Sequence, residues 1–206
     1  MNIDQIKKEF PIFDNKVQNN DLVYLDSANS SQKPRIVIDR IYDFYSKEFS
    51  NVGRSVHYLA VAATNLYEQT RTSVQKYINA SDKNEIVFTK GATEAINLVA
   101  NTFGQKYLDE GDEVLITELE HHSNYVPWHF LRKSKKINIE FAEVNDQGEV
   151  TLEEIKKKIT DRTKIICVTH LSNVTGAILP IKEIVKFAHS KGIPVLVDGC
   201  QGAPHL

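Results

Sequence analysis

The chain has 206 residues, of which 41% are hydrophobic and 25% are charged, and its formal net charge is −2. This composition is ordinary for a globular protein, and the scattered charges of both signs argue against nucleic acid or an anionic membrane as a partner. The amino-terminal stretch is too polar for a signal peptide, and no apolar run is long enough to span a bilayer. Two cysteines make no disulfide framework, so we expect a cytoplasmic protein.

The first eighty residues predict one short strand and two helices. The strand opens the stretch LVYLDSANSSQKP, which begins at Leu22 and continues as a polar loop. Apolar residues then recur at helical spacing over residues 37–49 and again over residues 59–78. Because Gly53 lies between the two patterns, we expect two separate helices. Both belong to a segment that spans residues 1–80.

From residue 85 onward, apolar strand segments alternate with segments of helical periodicity. The expected strands are EIVFT (85–89), EVLIT (113–117), INIEFAEV (137–144), KIICVTH (164–170) and IPVLVD (193–198). This alternation predicts βαβ units, and therefore an α/β domain over residues 81–206 with a mostly parallel sheet and flanking helices. Right-handed crossovers would place the loops that follow the strands along one edge of that sheet.

Four of these loops are rich in polar, small or histidine residues: Lys90–Thr93, Glu118–Asn124, His170–Gly176 and Asp198–Gln201. In the first loop, a glycine and small residues precede a helix start at Ala92. Free backbone N–H groups and the helix dipole favour an anion such as phosphate there, and Thr93 can add its hydroxyl. A threonine in an ordinary helix cap would give the same pattern.

The second loop offers His121 and His122 directly after a strand. One imidazole can serve as a stacking surface or a proton carrier beside a cofactor. A metal site would have to recruit carboxylates such as Glu118 and Glu120, but no spacing here matches a zinc pattern, and we predict no metal. The alternative interpretation is a pair of surface histidines.

The third and fourth loops carry amides and an acid. Asn173 can donate to an anionic ligand oxygen, although a turn stabilised by its own side chains would look similar. Asp198 ends an apolar strand, where a carboxylate loses hydration and needs a partner such as a protonated ring nitrogen. Gln201 follows closely enough to reach a ring hydroxyl oxygen. Local capping by Asp198 is the alternative.

These features together describe a ligand with a phosphate, a flat ring and a cationic ring nitrogen, as in pyridoxal phosphate (PLP). The motifs YLDSANSSQKP, KGATEAINLVAN, EHHSNYVPW, THLSNVTG and VDGCQGAPH occur in one order over essentially the whole chain. In this the chain resembles the amino-terminal part of a SufS-type cysteine desulfurase, of the class V aminotransferase group. The resemblance implies a PLP-dependent transferase fold (aspartate aminotransferase-like, fold type I), with residues 1–80 shaping the active-site entrance and residues 81–206 forming an incomplete large domain.

The resemblance also implies residue roles and partners. Ala92 and Thr93 would hold the phosphate. His121 would stack on the ring and move protons. Asn173 and Gln201 would approach the phenolic oxygen, and Asp198 would pair with the ring nitrogen. The family converts L-cysteine to L-alanine and an enzyme persulfide, which supplies sulfur for iron–sulfur cluster assembly. A homodimer and a sulfur-acceptor protein are expected with this activity.

The sequence departs from the family pattern in several places. We expect the chain to lack the family's Schiff-base lysine and persulfide cysteine, and so to be inactive alone. Gly53 and Ser55 stand where the family usually has histidine and glycine, and Asn29 and Gly202 replace common alanines. We interpret Cys200 as a small buried filler. The alternatives are a non-catalytic remnant or interaction protein, and a selenocysteine lyase or another class V aminotransferase.

Overall fold

The computed structural model describes residues 2–206, which form two compact units, one ending at Val87 and the other running from Phe88 to Leu206. The elements of the first unit are α1 (Ile3–Lys8), a 3-10 turn (Pro11–Asp14), β1 (Lys16–Val17), β2 (Asn20–Asp21), α2 (Arg35–Asp43) with a π-helical extension (Phe44–Glu48), α3 (Tyr58–Tyr77) and a 3-10 turn (Lys83–Glu85). No helix in the described residues combines the length and apolarity needed to cross a membrane.

The two helices expected in the first eighty residues are confirmed as α2 and α3. The α3 helix begins after His57, whose ring accepts the backbone N–H of Ala60 at 3.4 Å, and it buries Ala60 and Ala63. Gly53, with a φ of +88°, donates its N–H to the Thr64 hydroxyl at 3.0 Å. The left-handed backbone at this position suits glycine, and the hydrogen bond connects the interruption to α3.

The strand expected at Leu22 is wrong. Only β1 and β2 pair, antiparallel, in a two-residue hairpin that ends before Leu22. The apolar side chains that follow are exposed, with Val23 at 74% and Leu25 at 92%. Apolar, β-branched residues favour an extended backbone, but a strand also needs a hydrogen-bonded neighbour, and these residues have none within the described chain.

The second unit contains the sheet. Its elements are α4 (Ala92–Val99) with a π-helical extension (Ala100–Gly104), α5 (Gln105–Tyr107), β3 (Glu113–Thr117), a 3-10 turn (His122–Asn124), α6 (Val126–Lys135), β4 (Asn138–Ala142), α7 (Leu152–Lys158), β5 (Thr163–Thr169), α8 (Ile181–Ser190), β6 (Val195–Asp198) and α9 (Gly202–His205). The strand order is β4-β3-β5-β6, and every neighbouring pair is parallel. The predicted α/β architecture is therefore confirmed.

The expected strand EIVFT is wrong. Residues 86–89 form no strand in the described chain. The boundary between the two units falls within this segment, after Val87. Val87 is 66% exposed and Phe88 is 41% exposed, so this apolar run does not enter the core of the described sheet.

Apolar side chains cover both faces of the sheet. On β3, Leu115 packs with the α7 and α8 side chains Ile155 and Ile184, whereas its neighbours Val114 and Ile116 face the cluster that contains Trp128 of α6. This alternation is what a strand with helices on both sides requires. Because β3 and β5 are buried along nearly their whole length, their carboxyl ends are fixed supports for the loops that follow.

Candidate functional site

Three of the four expected site loops start at one edge of the sheet. Strands β3, β5 and β6 are parallel and end at Thr117, Thr169 and Asp198, with Thr169 directly opposite Asp198 in the ladder. The fourth loop precedes α4, which packs against the His122–Asn124 turn that follows β3. Helix α4, which starts at Ala92, therefore lies beside the turn that follows His121.

Asp198 is a buried carboxylate without a cationic partner. Its side chain accepts the backbone N–H of Cys200 at 3.0 Å, and its residue is 7% exposed. Its own carbonyl accepts the N–H of His170 at 2.9 Å, which fixes the end of β6 to the loop after β5. Within residues 2–206 no lysine, arginine or histidine forms an ion pair with it. A buried charge of this kind is costly unless a cation or further donors approach it, so the position suits a cationic group.

Glu120 is a second acid at the same edge, and from the sequence we named it only as a candidate metal ligand. One carboxylate oxygen accepts the Thr117 hydroxyl at 2.6 Å and the Thr169 N–H at 2.8 Å, and the other accepts the Asn124 side-chain amide at 2.6 Å. The pKa of Glu120 is raised to about 7, chiefly by burial and to a smaller extent by the negative charge of Asp198, and the three donors offset this rise only in part. The two acids are therefore close enough to interact electrostatically.

His121 directly precedes the 3-10 turn His122–Asn124, in which Ser123 and Asn124 are buried and His122 is exposed. Its Nδ1 accepts the Ser123 N–H at 3.2 Å and lies 2.8 Å from the Ser123 hydroxyl, and its carbonyl accepts the Asn124 N–H at 2.8 Å. Ser123 and Asn124 are 8% and 0% exposed, whereas the His121 ring faces solvent. The ring of His122 stands nearly perpendicular, at 82°, so the two imidazoles present different surfaces.

The start of α4 has the features of an anion site. Helix α4 begins at Ala92, and its first turn is closed by the Glu94 carboxylate, which accepts the Lys90 N–H at 2.6 Å. The first intrahelical bond runs from Ala95 N–H to the Gly91 carbonyl at 3.1 Å. The N–H groups of Ala92 and Thr93 precede this bond and have no acceptor within the helix.

Comparison with known proteins decides the family. The family model for aminotransferase class-V matches residues 23–206. The chain belongs to the aminotransferase class-V family. A protein of Halalkalibacterium halodurans named "Probable cysteine desulfurase" is 46% identical over 206 residues, covering 100% of this chain and 51% of the relative. A cysteine desulfurase of Synechococcus elongatus is 45% identical over 204 residues, covering 99% of this chain and 33% of the relative.

Solved structures of class V proteins share the fold. A cysteine desulfurase of Escherichia coli aligns with a TM-score of 0.86 at 36% identity, covering 100% of this chain and 50% of that structure. The apo cysteine desulfurase of Thermococcus onnurineus NA1 aligns with a TM-score of 0.89 at 35% identity, covering 98% of this chain and 48% of that structure. The chain spans between a third and about half of the length of these relatives. The resemblance found in the sequence is thus confirmed at the level of family and fold.

The remaining two expected site residues of this class V chain lie in the loops after β5 and β6. Asn173 is exposed at a turn in which the Ser172 hydroxyl accepts the N–H groups of Val174 and Thr175, both at 3.3 Å. Gln201 is half-buried directly before α9. Both residues follow strands that end at the site edge, and their contacts to a ligand stay predictions.

Cys200 is not the buried filler that we expected, because its residue is exposed. Partial burial of the thiol, the charge of Asp198 and a hydrogen bond to that carboxylate raise the pKa of Cys200 to about 11. At neutral pH the thiol is therefore protonated and a poor nucleophile, so Cys200 is not suited to a catalytic role.

Gly202 makes room for His170 at the same edge. A Cβ atom at Gly202 would lie 2.5 Å from Nδ1 and 2.9 Å from Cβ of His170. Since the contact includes the Cβ of His170, rotation of the imidazole alone does not relieve it. Glycine at this position allows His170 to pack over the start of α9.

Proposed function

We propose that this chain supplies the amino-terminal half of the PLP site of a cysteine desulfurase of the SufS type. The observation that carries the proposal is Asp198, a buried carboxylate with no cationic partner among residues 2–206, at the edge that also carries His121. The relatives named cysteine desulfurase, at 45% and 46% identity, support this assignment over other members of the family.

The residues at this edge fit the parts of PLP. The free N–H groups of Ala92 and Thr93 suit the phosphate, because a helix start attracts anions. The exposed His121 ring, hydrogen-bonded to the buried Ser123, offers a flat surface to the pyridine ring. The carboxylate of Asp198 suits the protonated ring nitrogen, and we propose that Asn173 and Gln201 approach the phenolic oxygen.

PLP, when bound, supplies an electron sink for the substrate's reacting carbon. Asp198 would keep the ring nitrogen protonated, since an adjacent negative charge stabilises the cation. His121 would hold the ring and carry a proton on its imidazole nitrogen. The burial of Asp198 at 7% exposure reduces the competition of water for the ring nitrogen.

The reaction that we propose for the whole protein converts L-cysteine to L-alanine. The substrate's carbon–sulfur bond breaks, and its sulfur becomes bonded to an enzyme thiolate as a persulfide. A sulfur-acceptor protein would then take the sulfur toward iron–sulfur cluster assembly in the cytoplasm, and the enzyme would act as a homodimer. Residues 1–206 contain no match for the family's Schiff-base lysine or persulfide cysteine, so we propose that they alone do not turn over L-cysteine.

The experiment is a titration of the chain with PLP, followed by ³¹P NMR and by quenching of the fluorescence of its one tryptophan, Trp128. We expect saturable binding and at least a tenfold higher Kd in Asp198→Asn, because a hydrogen bond to a charged group contributes about 1.5–3 kcal/mol. Asp146→Asn, the same change at an exposed turn residue, is the matched control. No binding by the wild-type chain, or equal Kd values for Asp198→Asn and wild type, would contradict the proposal.

A further inference from the structure

The turn that carries His121 is tied to two central strands through one side chain. Glu120 precedes His121 directly and contacts three separate elements: the end of β3 through Thr117, the end of β5 through Thr169, and the 3-10 turn through Asn124. Thr117, Thr169 and Asn124 are 1%, 6% and 0% exposed, respectively. The Glu120 carboxylate therefore links the His121 turn to the ends of two strands that are already paired with each other in the sheet.

A carboxylate matches the three donors at this position. The three partners are a hydroxyl, a backbone N–H and a side-chain amide, and each of them donates to Glu120. An ionised carboxylate only accepts and has lone pairs for all three donors. Shorter or apolar side chains would leave the buried Thr169 N–H and Asn124 amide without an acceptor, which is costly.

Asn124 adds an observation of its own. Its Oδ1 is buried and has no hydrogen-bond partner among the described residues, while its Nδ2 donates to Glu120. Rotation of this amide by half a turn would present Oδ1 to Glu120 instead, which suits a donor at residue 120. The network is therefore complementary to an ionised Glu120 in one amide orientation and to a protonated Glu120, or a glutamine, in the other.

From this geometry we propose that Glu120 is a positioning residue for His121: it holds the His121 turn against the ends of β3 and β5, so that the imidazole keeps one orientation at the site edge. The titratable groups that face Glu120 are Asp198 at the end of β6 and Cys167 in β5. Neither donates a hydrogen bond to it among the contacts of the described residues. The importance of this orientation for PLP binding rests on the proposed function. The hydrogen bonds between Glu120 and its three partners do not depend on it.

The test has one arm without ligand. Amide hydrogen exchange of residues 121–124 is measured by NMR in the wild-type chain, Glu120→Ala and Glu120→Gln. We expect exchange at Asn124 to be at least tenfold faster in Glu120→Ala than in wild type. In Glu120→Gln we expect it to stay within about threefold of wild type, because the rotated Asn124 amide can accept a hydrogen bond from the glutamine. Glu118→Ala is the matched control: Glu118 is exposed and its carboxylate accepts the Val144 N–H at 2.9 Å, away from the His121 turn.

A second variant covers the case in which Glu120→Ala does not fold. Thr117→Val removes one hydroxyl donor with nearly the same shape, and we expect exchange at residues 121–124 to rise about threefold. Unchanged exchange in both Thr117→Val and the Glu120 variants, or an equal rise in Glu118→Ala, would overturn the positioning role.

The second arm measures PLP binding and the ¹⁵N shifts of the His121 ring. We expect Kd for PLP to rise at least fivefold in Glu120→Ala, with recovery in Glu120→Gln and a shift in the His121 Nδ1 resonance. If the wild-type chain binds no PLP, the proposed function fails, while the exchange arm still decides the role of Glu120. If PLP binds but Glu120→Ala binds it as tightly as wild type, the positioning role fails and the proposed function stands.

Discussion

Replacing Glu120 by glutamine should change how the stability of the second unit depends on pH. Burial raises the pKa of Glu120 from an ordinary 4.5 to about 7. Between these two pH values the folded chain retains the Glu120 proton and the unfolded chain does not. The contribution of the protonated acid to stability is therefore complete below pH 4.5 and is lost as the pH rises through 7.

The size of the effect follows from the two pKa values. A shift of about 2.5 pH units corresponds to about 3.5 kcal/mol at roughly 1.4 kcal/mol per unit. We therefore expect the free energy of unfolding of Glu120→Gln, relative to wild type, to rise by about 3.5 kcal/mol between pH 4.5 and pH 8.5. Glutamine has no proton to lose in this range, and contributions from groups that do not interact with Glu120 cancel in the comparison.

The assay is urea unfolding followed by the fluorescence of Trp128. This is the one tryptophan of the chain, it is 0% exposed, and it packs on the α6 side of the sheet, so its signal reports on the unit that contains Glu120. Glu118→Gln, at an exposed position two residues away, should show no such change. A difference between Glu120→Gln and wild type that stays constant with pH, or that falls as the pH rises, would refute the reasoning.

Two further predictions concern the loop after β6. Gly202→Ala should destabilise the chain by about 1–3 kcal/mol, because the new Cβ would lie 2.5 Å from the His170 ring; Gly199→Ala, whose added Cβ meets its first neighbour at 4.0 Å, should cost less in the same urea experiment. Equal costs would show that His170 moves aside freely. Cys200 should react with iodoacetamide at pH 8 about a hundredfold more slowly than an ordinary exposed thiol, because its pKa is about 11, and Asp198→Asn should speed the reaction. Mass spectrometry measures both rates, and ordinary reactivity of Cys200 in the wild-type chain would contradict the prediction.

The parallel sheet was predictable because each of its strands can be recognised from the apolar pattern of its own segment. In β5, the run IICV is continuously apolar and lies between polar ends, which is typical of a strand covered by helices on both faces, and the structure buries it completely. Once the strands alternate with helices, handedness places their following loops at one edge. The clustering of the loops after β3, β5 and β6 therefore follows from the sequence alone.

The strands expected at residues 22–25 and 85–89 failed for a common reason. Their apolar residues favour extended backbone, but pairing depends on which distant strand is available, and the local sequence carries no information about this. The apolar side chains Leu25 and Val87 are 92% and 66% exposed in the described chain. Extended propensity and membership of a sheet are thus separate properties.

The role of Glu120 was hidden for a similar reason. Its three donors come from residues 117, 124 and 169, and the last of these is brought near only by the register between β3 and β5. The signal available in the sequence was an acid directly before a histidine pair at a strand end. That signal indicates a functional loop, but it does not show that the carboxylate is buried and tied to two strands.

A crystal structure of the chain with PLP is the most direct test of the central proposal, that this edge of the sheet contacts the phosphate, the ring and the ring nitrogen of the cofactor. We predict that the phosphate lies at the backbone N–H groups of Ala92 and Thr93, that the ring packs on His121, and that the ring nitrogen lies within hydrogen-bond distance of the Asp198 carboxylate. A phosphate bound elsewhere, or a ring nitrogen directed away from Asp198, would contradict it.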